Sequence, residues 1–205
     1  MLQSLAAFLA VSAVVICTPG QDTALTIRNT LGGGRPSGIA TAGGVALGQA
    51  IWTIAASLGV VALLSASEPV FHALKLAGAA YLVYLGMQSL SAAMHRTDPS
   101  HEVRRVTPLA PSLALRQGVV SNLGNPKMAV FFASLLPQFV PSGTFTWMLA
   151  FGLLFCVLTF SWLTLYAVAV ARVQPLLAGP TRQALDALTG VVLVAFGVRL
   201  ALDER

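Results

Sequence analysis

Two residues in this chain carry charges where their surroundings make a charge expensive. Asp22 follows Pro19-Gly20-Gln21, after a run from Met1 that holds no charged side chain. Lys127 follows Asn125-Pro126, with mainly apolar helix-forming sequence on both sides. An ionised Asp near the centre of a bilayer costs about 2.5–3.5 kcal/mol on insertion scales. Lys127 is the charge least able to reach the headgroups by snorkelling. Each stands beside a proline, which removes a backbone N–H and clashes with the carbonyl one turn earlier. In hydrocarbon, backbone freed in this way is tolerated only if protein buries it or it lines a wet cavity. A carboxylate facing an ammonium would suit a zwitterion, whose own charges need one partner each. The expected substrate-binding residues are Pro19, Gly20, Asp22, Asn122, Asn125, Pro126 and Lys127, with Asp22 also the proton-coupling group. Gln49 is a further polar candidate for the path. Tyr81 and Tyr84 either offer hydroxyls to the same cavity or sit as interfacial tyrosines. The alternative for Asp22 is a solvated helix end paired with Arg28.

The elements that position these groups must lie in a membrane. The chain has 205 residues, 56% of them hydrophobic and only 9% charged, against about 25% charged in a soluble domain. The net charge of +5 does not indicate nucleic acid, because the Lys and Arg are scattered singly rather than clustered with aromatics. Cys17 and Cys156 with three histidines make neither a disulfide framework nor a metal site, and nothing implies a cofactor.

Hydrophobic runs of about 20 residues read as spans. They fall at Met1–Gln21, Ile39–Leu64, Val70–Ala93, Leu113–Leu136 (interrupted at Asn125-Pro126-Lys127), Trp147–Ala171 and Ala184–Leu202. The first reads as a retained helix rather than a signal peptide, since no Lys or Arg precedes it and Ile16 occupies a cleavage-box position that wants a small residue. The expected fold is therefore an all-α polytopic membrane protein, one domain over residues 1–205 with six crossings. Loops 25–38, 95–112 and 172–183 with their flanks carry eight of the twelve Lys and Arg, which places them in the cytoplasm and both termini outside. Asp186 and Arg199 in the last span read as interfacial.

The chain also divides into two similar halves, residues 1–94 and 113–205 around the loop 95–112. Each begins with a Pro-broken helix and ends with a related one, Leu76-Ala77-Gly78 through Gly86 and Leu188-Thr189-Gly190 through Gly197. An odd number of helices per half requires inversion, and inverted repeats with broken helices at corresponding places characterise secondary transporters. Chance likeness of two apolar triplets is the other explanation. Gly44, Gly48 and Gly59 read as sites of close helix approach, a face that would equally suit a homodimer. Gly32-Gly33-Gly34-Arg35 lacks the Gly-Lys-Ser/Thr of a phosphate loop and reads as a cytoplasmic turn.

Four ordered stretches resemble the LysE/RhtB family of amino-acid exporters. They are Pro19-Gly20-Gln21-Asp22, the run Gly32 to Gly38 leading to Gly44 and Gly48, the stretch Lys75 to Gly86, and Asn125-Pro126-Lys127 through Leu136-Pro137-Gln138-Phe139-Val140. The resemblance covers most of the chain in order. It implies a small bacterial inner-membrane permease that exports amino acids or related metabolites, driven by proton antiport. One position departs: Gln21 stands where the family's first motif usually has a second proline, which suits a milder break or a different substrate. Two other classes compete. A membrane thiol–disulfide carrier would use Cys17 beside the first break and Cys156, and a non-transporting structural component would need none of the intramembrane polar groups.

Overall fold

The computed structural model describes residues 2–59, 68–95, 108–140, 145–173 and 180–202. Its elements are α1 (Leu2–Cys17), α2 (Gln21–Ser57), α3 (Glu68–His95), α4 (Pro111–Leu123), α5 (Pro126–Val130), a π turn (Phe131–Leu135), α6 (Leu136–Phe139), α7 (Phe145–Val173) and α8 (Pro180–Leu202). No strand occurs among the described residues. Three described stretches are long and apolar enough to cross a membrane: Gln21–Ser57, Phe145–Val173 and Gln183–Leu202.

Both proline breaks form, and the first reshapes the expected helix order. Thr18-Pro19-Gly20 are non-helical and α2 starts at Gln21, with Gly20 as an extended N-cap. The expected loop 25–38 is instead helical on both sides of a single bend at Gly34, whose φ of 72° and ψ of −169° lie in a region open essentially to glycine alone. Pro36 then falls in the first turn of the second arm, where a missing N–H costs little. The span expected over Met1–Gln21 is thus α1 alone, continued after the break by the first arm of α2. The second arm replaces the span expected over Ile39–Leu64, and residues 60–67 lie outside the described set.

The remaining spans differ from expectation mainly at their ends. α3 covers Val70–Ala93 and α7 covers Trp147–Ala171. α8 starts at Pro180, four residues before the expected Ala184, and Pro180 occupies the first helical position that proline favours. Residues 96–107 of the expected loop 95–112, and 174–179 of 172–183, lie outside the described residues. The span expected to end at Leu136 continues as helix through Pro137 to Phe139. Pro137 cannot donate to Ala133, and the backbone widens ahead of it into a π turn in which the Leu136 N–H reaches the Phe131 carbonyl.

Close backbone approach holds the bundle together, as expected where lipid is as apolar as the side chains and packing must replace hydrophobic drive. The second arm of α2 lies between α4 and α7, while α3 and α8 pair with each other. A Cβ on Gly44 would sit 2.1 Å from the Leu115 carbonyl oxygen, and one on Gly118 would sit 2.4 Å from that of Thr41. The α3–α8 pair repeats the device: Gly86 faces the Gly190 carbonyl and Gly190 that of Gly86. The Gly44–Gly48 face is therefore filled from within the chain, and a homodimer would have to use another. Leu47, Ile51, Ile54 and Leu58 remain about half exposed or more, at the spacing of one outward helix face, as lipid contact requires. A second packing centre gathers Phe8, Phe131, Phe132, Phe151 and Phe155 behind the second break. The Phe131 and Phe155 rings stack with centroids 4.1 Å apart.

Candidate functional site

The two breaks meet inside the bundle, and each satisfies the charge beside the other. The Asp22 carboxylate, in the first turn of α2, takes three hydrogen bonds from the second break. Ser121 Oγ donates to Oδ1 at 3.1 Å, and Asn122 Nδ2 and Asn125 Nδ2 donate to Oδ2 at 3.0 and 3.1 Å. Lys127 reaches the opposite way. Its Nζ donates to the carbonyls of Val15 and Thr18, the latter at 3.2 Å, and so caps the end of α1. An ammonium there meets carbonyls that have no helical partner and the negative end of the helix dipole. Asn125 has a double task, since its Oδ1 also accepts the Lys127 backbone N–H and caps α5.

Neither charge spends its hydrogen bonds on the other, as a simple facing pair would. A carboxylate has about four acceptor positions and an ammonium three donors. Three and two are used here, which leaves one position uncommitted on each. Arg28 does not pair with Asp22. Its guanidinium donates to Ser89 Oγ at 2.6 Å, Gln88 Oε1 at 2.9 Å and Asn29 Oδ1 at 3.2 Å, tying α2 to α3.

A cavity of about 490 Å³ opens beside the breaks, within the size range of small-molecule sites. Pro19, Gly20, Asp22, Gln49, Asn125, Pro126 and Lys127 line it. Asn122 stands behind this wall. It is fully buried, it holds Asp22, and its amide occupies the space left by the missing side chain of Gly48. Tyr81 and Tyr84 lie elsewhere on α3, Tyr81 against the Leu82–Leu85–Leu193 cluster and Tyr84 58% exposed. Neither Cys17 nor Cys156 is among the lining residues, and both are free thiols.

Several lining or supporting residues escaped the sequence reading. Gln21 explains the missing second proline: it is buried, and its Nε2 donates to the Ser121 carbonyl at 2.6 Å, cross-linking the breaks. The first break is complete in spite of that substitution. Ser121, one position before Asn122, could have been read from its place at the break. Phe155 and Thr159 on α7 and Arg199 on α8 carry no local signal, because only tertiary packing brings those helices to the cavity. Gln49 Nε2 donates to Thr159 Oγ1 at 3.2 Å and to Met128 Sδ at 3.5 Å, while its Oε1 has no partner.

The capping role of Lys127 makes a direct prediction. Lys127→Met should lower the unfolding midpoint in detergent by the equivalent of about 2 kcal/mol, since charge-assisted bonds to the part-buried Val15 carbonyl and the exposed Thr18 carbonyl are lost. A midpoint equal to that of the wild type would show that the cap contributes nothing.

Comparison with known proteins places the chain among membrane proteins. Residues 13–204 match the family model described as LysE type translocator. The chain is 30% identical to the uncharacterized membrane protein YrhP of Bacillus subtilis, covering 98% of this chain and 100% of that one. It is 29% identical to a homoserine/homoserine lactone efflux protein of Salmonella typhimurium, over 95% of this chain and 94% of the relative. It is also 29% identical to a leucine efflux protein of Klebsiella pneumoniae, over 91% and 89%. No solved structure matches.

Proposed function

The chain belongs to the LysE type translocator family, and from that premise we propose that it exports zwitterionic amino acids across the bacterial inner membrane by proton antiport. It is a membrane transporter, not an enzyme. The observation that carries the substrate class is the crossed arrangement of the breaks: a carboxylate and an ammonium, each fixed by the other's broken helix, on the wall of one cavity. Relatives named for homoserine and leucine efflux support amino acids as cargo.

In this reading the substrate binds between the breaks. Its ammonium takes the open position on Asp22, and Gly20 leaves the N-terminus of α2 bare of any side-chain cap. Val15, Ile16, Met128, Leu135 and Phe155 give the rest of the cavity an apolar wall, which favours an aliphatic side chain over a charged one. Asp22 exchanges substrate for a proton, so the inward proton gradient drives export. The six crossings form two inverted halves, residues 1–94 and 113–205, with both termini outside and loops 25–38, 95–112 and 172–183 facing the cytoplasm. Reciprocal contacts support that symmetry: break meets break, α2 meets α7 and α3 meets α8.

Efflux from preloaded proteoliposomes, tested with the twenty amino acids with and without an imposed pH gradient, decides the matter. Export accelerated by an inward proton gradient is expected, and the absence of movement for every amino acid would refute the reading. The thiol–disulfide alternative predicts the reverse for one variant. With Cys17 and Cys156 both replaced by Ser, efflux should stay within about twofold of the wild type, since neither lines the cavity, Cys17 being exposed and Cys156 a small buried filler. Loss of activity in that variant would favour a redox carrier.

A further inference from the structure

We propose that Arg199, on α8, is the residue that reads the carboxylate of the substrate, so that a bound amino acid bridges the breaks and the α3–α8 pair. The proposal rests on the reading of the cavity as an amino-acid site and identifies the second pole of that site.

Among the described residues three charged side chains line the cavity: Asp22, Lys127 and Arg199. They are not equally available. Lys127 has spent two of its three donors on the end of α1, and turning toward a ligand would strip those carbonyls. Arg199 is exposed to the opening and donates to no described residue. Its position is nevertheless fixed. The next residue, Leu200, is buried in the cluster that contains Leu25 and Leu82, and Phe196, one turn earlier, also lines the cavity. A guanidinium presents a planar fork that matches a carboxylate in bidentate fashion, which an ammonium cannot do.

The opposite pole also fits. Asp22 keeps one acceptor position, and Gln49 Oε1, on a side chain only 1% exposed, has no hydrogen-bond donor. An ammonium brings a donor to Asp22, and the carboxylate it travels with brings acceptors to the guanidinium. The open position on Asp22 and the Arg199 guanidinium thus complement the two charges of an α-amino acid, whereas a simple amine or a simple acid serves only one of them. The ligand would also act as a mechanical link. α8 packs mainly on α3 and on the first arm of α2 near Leu25, so a substrate held by Asp22 and Arg199 ties α8 to the breaks.

The test compares each variant with itself, so the amount of folded protein does not matter. The probes are the amino acid that wild-type proteoliposomes carry fastest, and its amide, which keeps the ammonium and neutralises the carboxylate. Each competes against labelled amino acid in counterflow. Wild-type protein should prefer the free acid by at least about tenfold, the worth of a charge-assisted pair. Arg199→Gln should bring the two inhibitors within about twofold of each other, and Arg199→Lys should fall between. If Arg199→Gln keeps the full preference, the carboxylate is read elsewhere and the proposal is overturned. If wild-type vesicles carry none of the twenty amino acids, the exporter reading itself fails and the proposal falls with it.

Discussion

Asp22→Asn should abolish transport while the protein still inserts and purifies as a folded species. The carboxylate accepts from Ser121, Asn122 and Asn125 at once, and an amide keeps that shape without the charge. Asn can accept from Asn122 and Asn125 through its oxygen and donate to Ser121 Oγ through its NH₂, so the framework persists, but it brings no charge to a substrate ammonium. Each charge-assisted hydrogen bond lost is worth about 1.5–3 kcal/mol. Loss of the one to the substrate ammonium reduces the rate by about ten- to a hundredfold. The position that would exchange a proton disappears as well, so no pH gradient should restore the rate. The bundle survives because its packing depends on glycine approaches and the phenylalanine cluster rather than on this carboxylate. Counterflow, together with size-exclusion behaviour and the amount in the membrane fraction, separates the two effects. Wild-type transport by Asp22→Asn would remove the centre of the mechanism.

Gly44→Ala should cost about 3 kcal/mol of stability, roughly two orders of magnitude in the folding equilibrium, although it adds one methyl group. The added Cβ would lie 2.1 Å from the Leu115 carbonyl oxygen and 3.0 Å from the Val119 nitrogen. These are backbone atoms of α4 with no rotamer to adopt, so the helices must part. Parting them also lifts Asn122 away from Asp22, because Gly48 and Asn122 share the same interface. Gly43→Ala is the matched control, as its Cβ would meet only Phe160 at 3.9 Å. That variant should be neutral or gain up to about 1 kcal/mol from helix propensity. Thermal unfolding in detergent, followed by tryptophan fluorescence, reads both. Equal midpoints for the two variants would mean that α2 and α4 do not make this close approach.

What the sequence alone determined is what depends on local chemistry and solvent. Its composition required a membrane, its apolar runs located α3 and α7 to within two residues, and its two Pro-containing motifs located both breaks. The reason is local: proline removes an N–H wherever it stands, and a charge is costly in hydrocarbon whatever surrounds it. The ordered motifs likewise pointed to the right family.

Tertiary structure decided how those groups are used. Asp22 and Lys127 were legible as polar groups, but not their crossed assignment, because a hydrogen bond across about a hundred residues leaves no trace in spacing. The loop expected around the triple glycine became a helix bent at Gly34, since packing against Leu109 and Ala167 outweighed the turn propensity of its glycines. Arg199 read as interfacial because its own helix ends three residues later. Only the pairing of α8 with α3, and of both with the first arm of α2, turns that end of the helix toward the cavity.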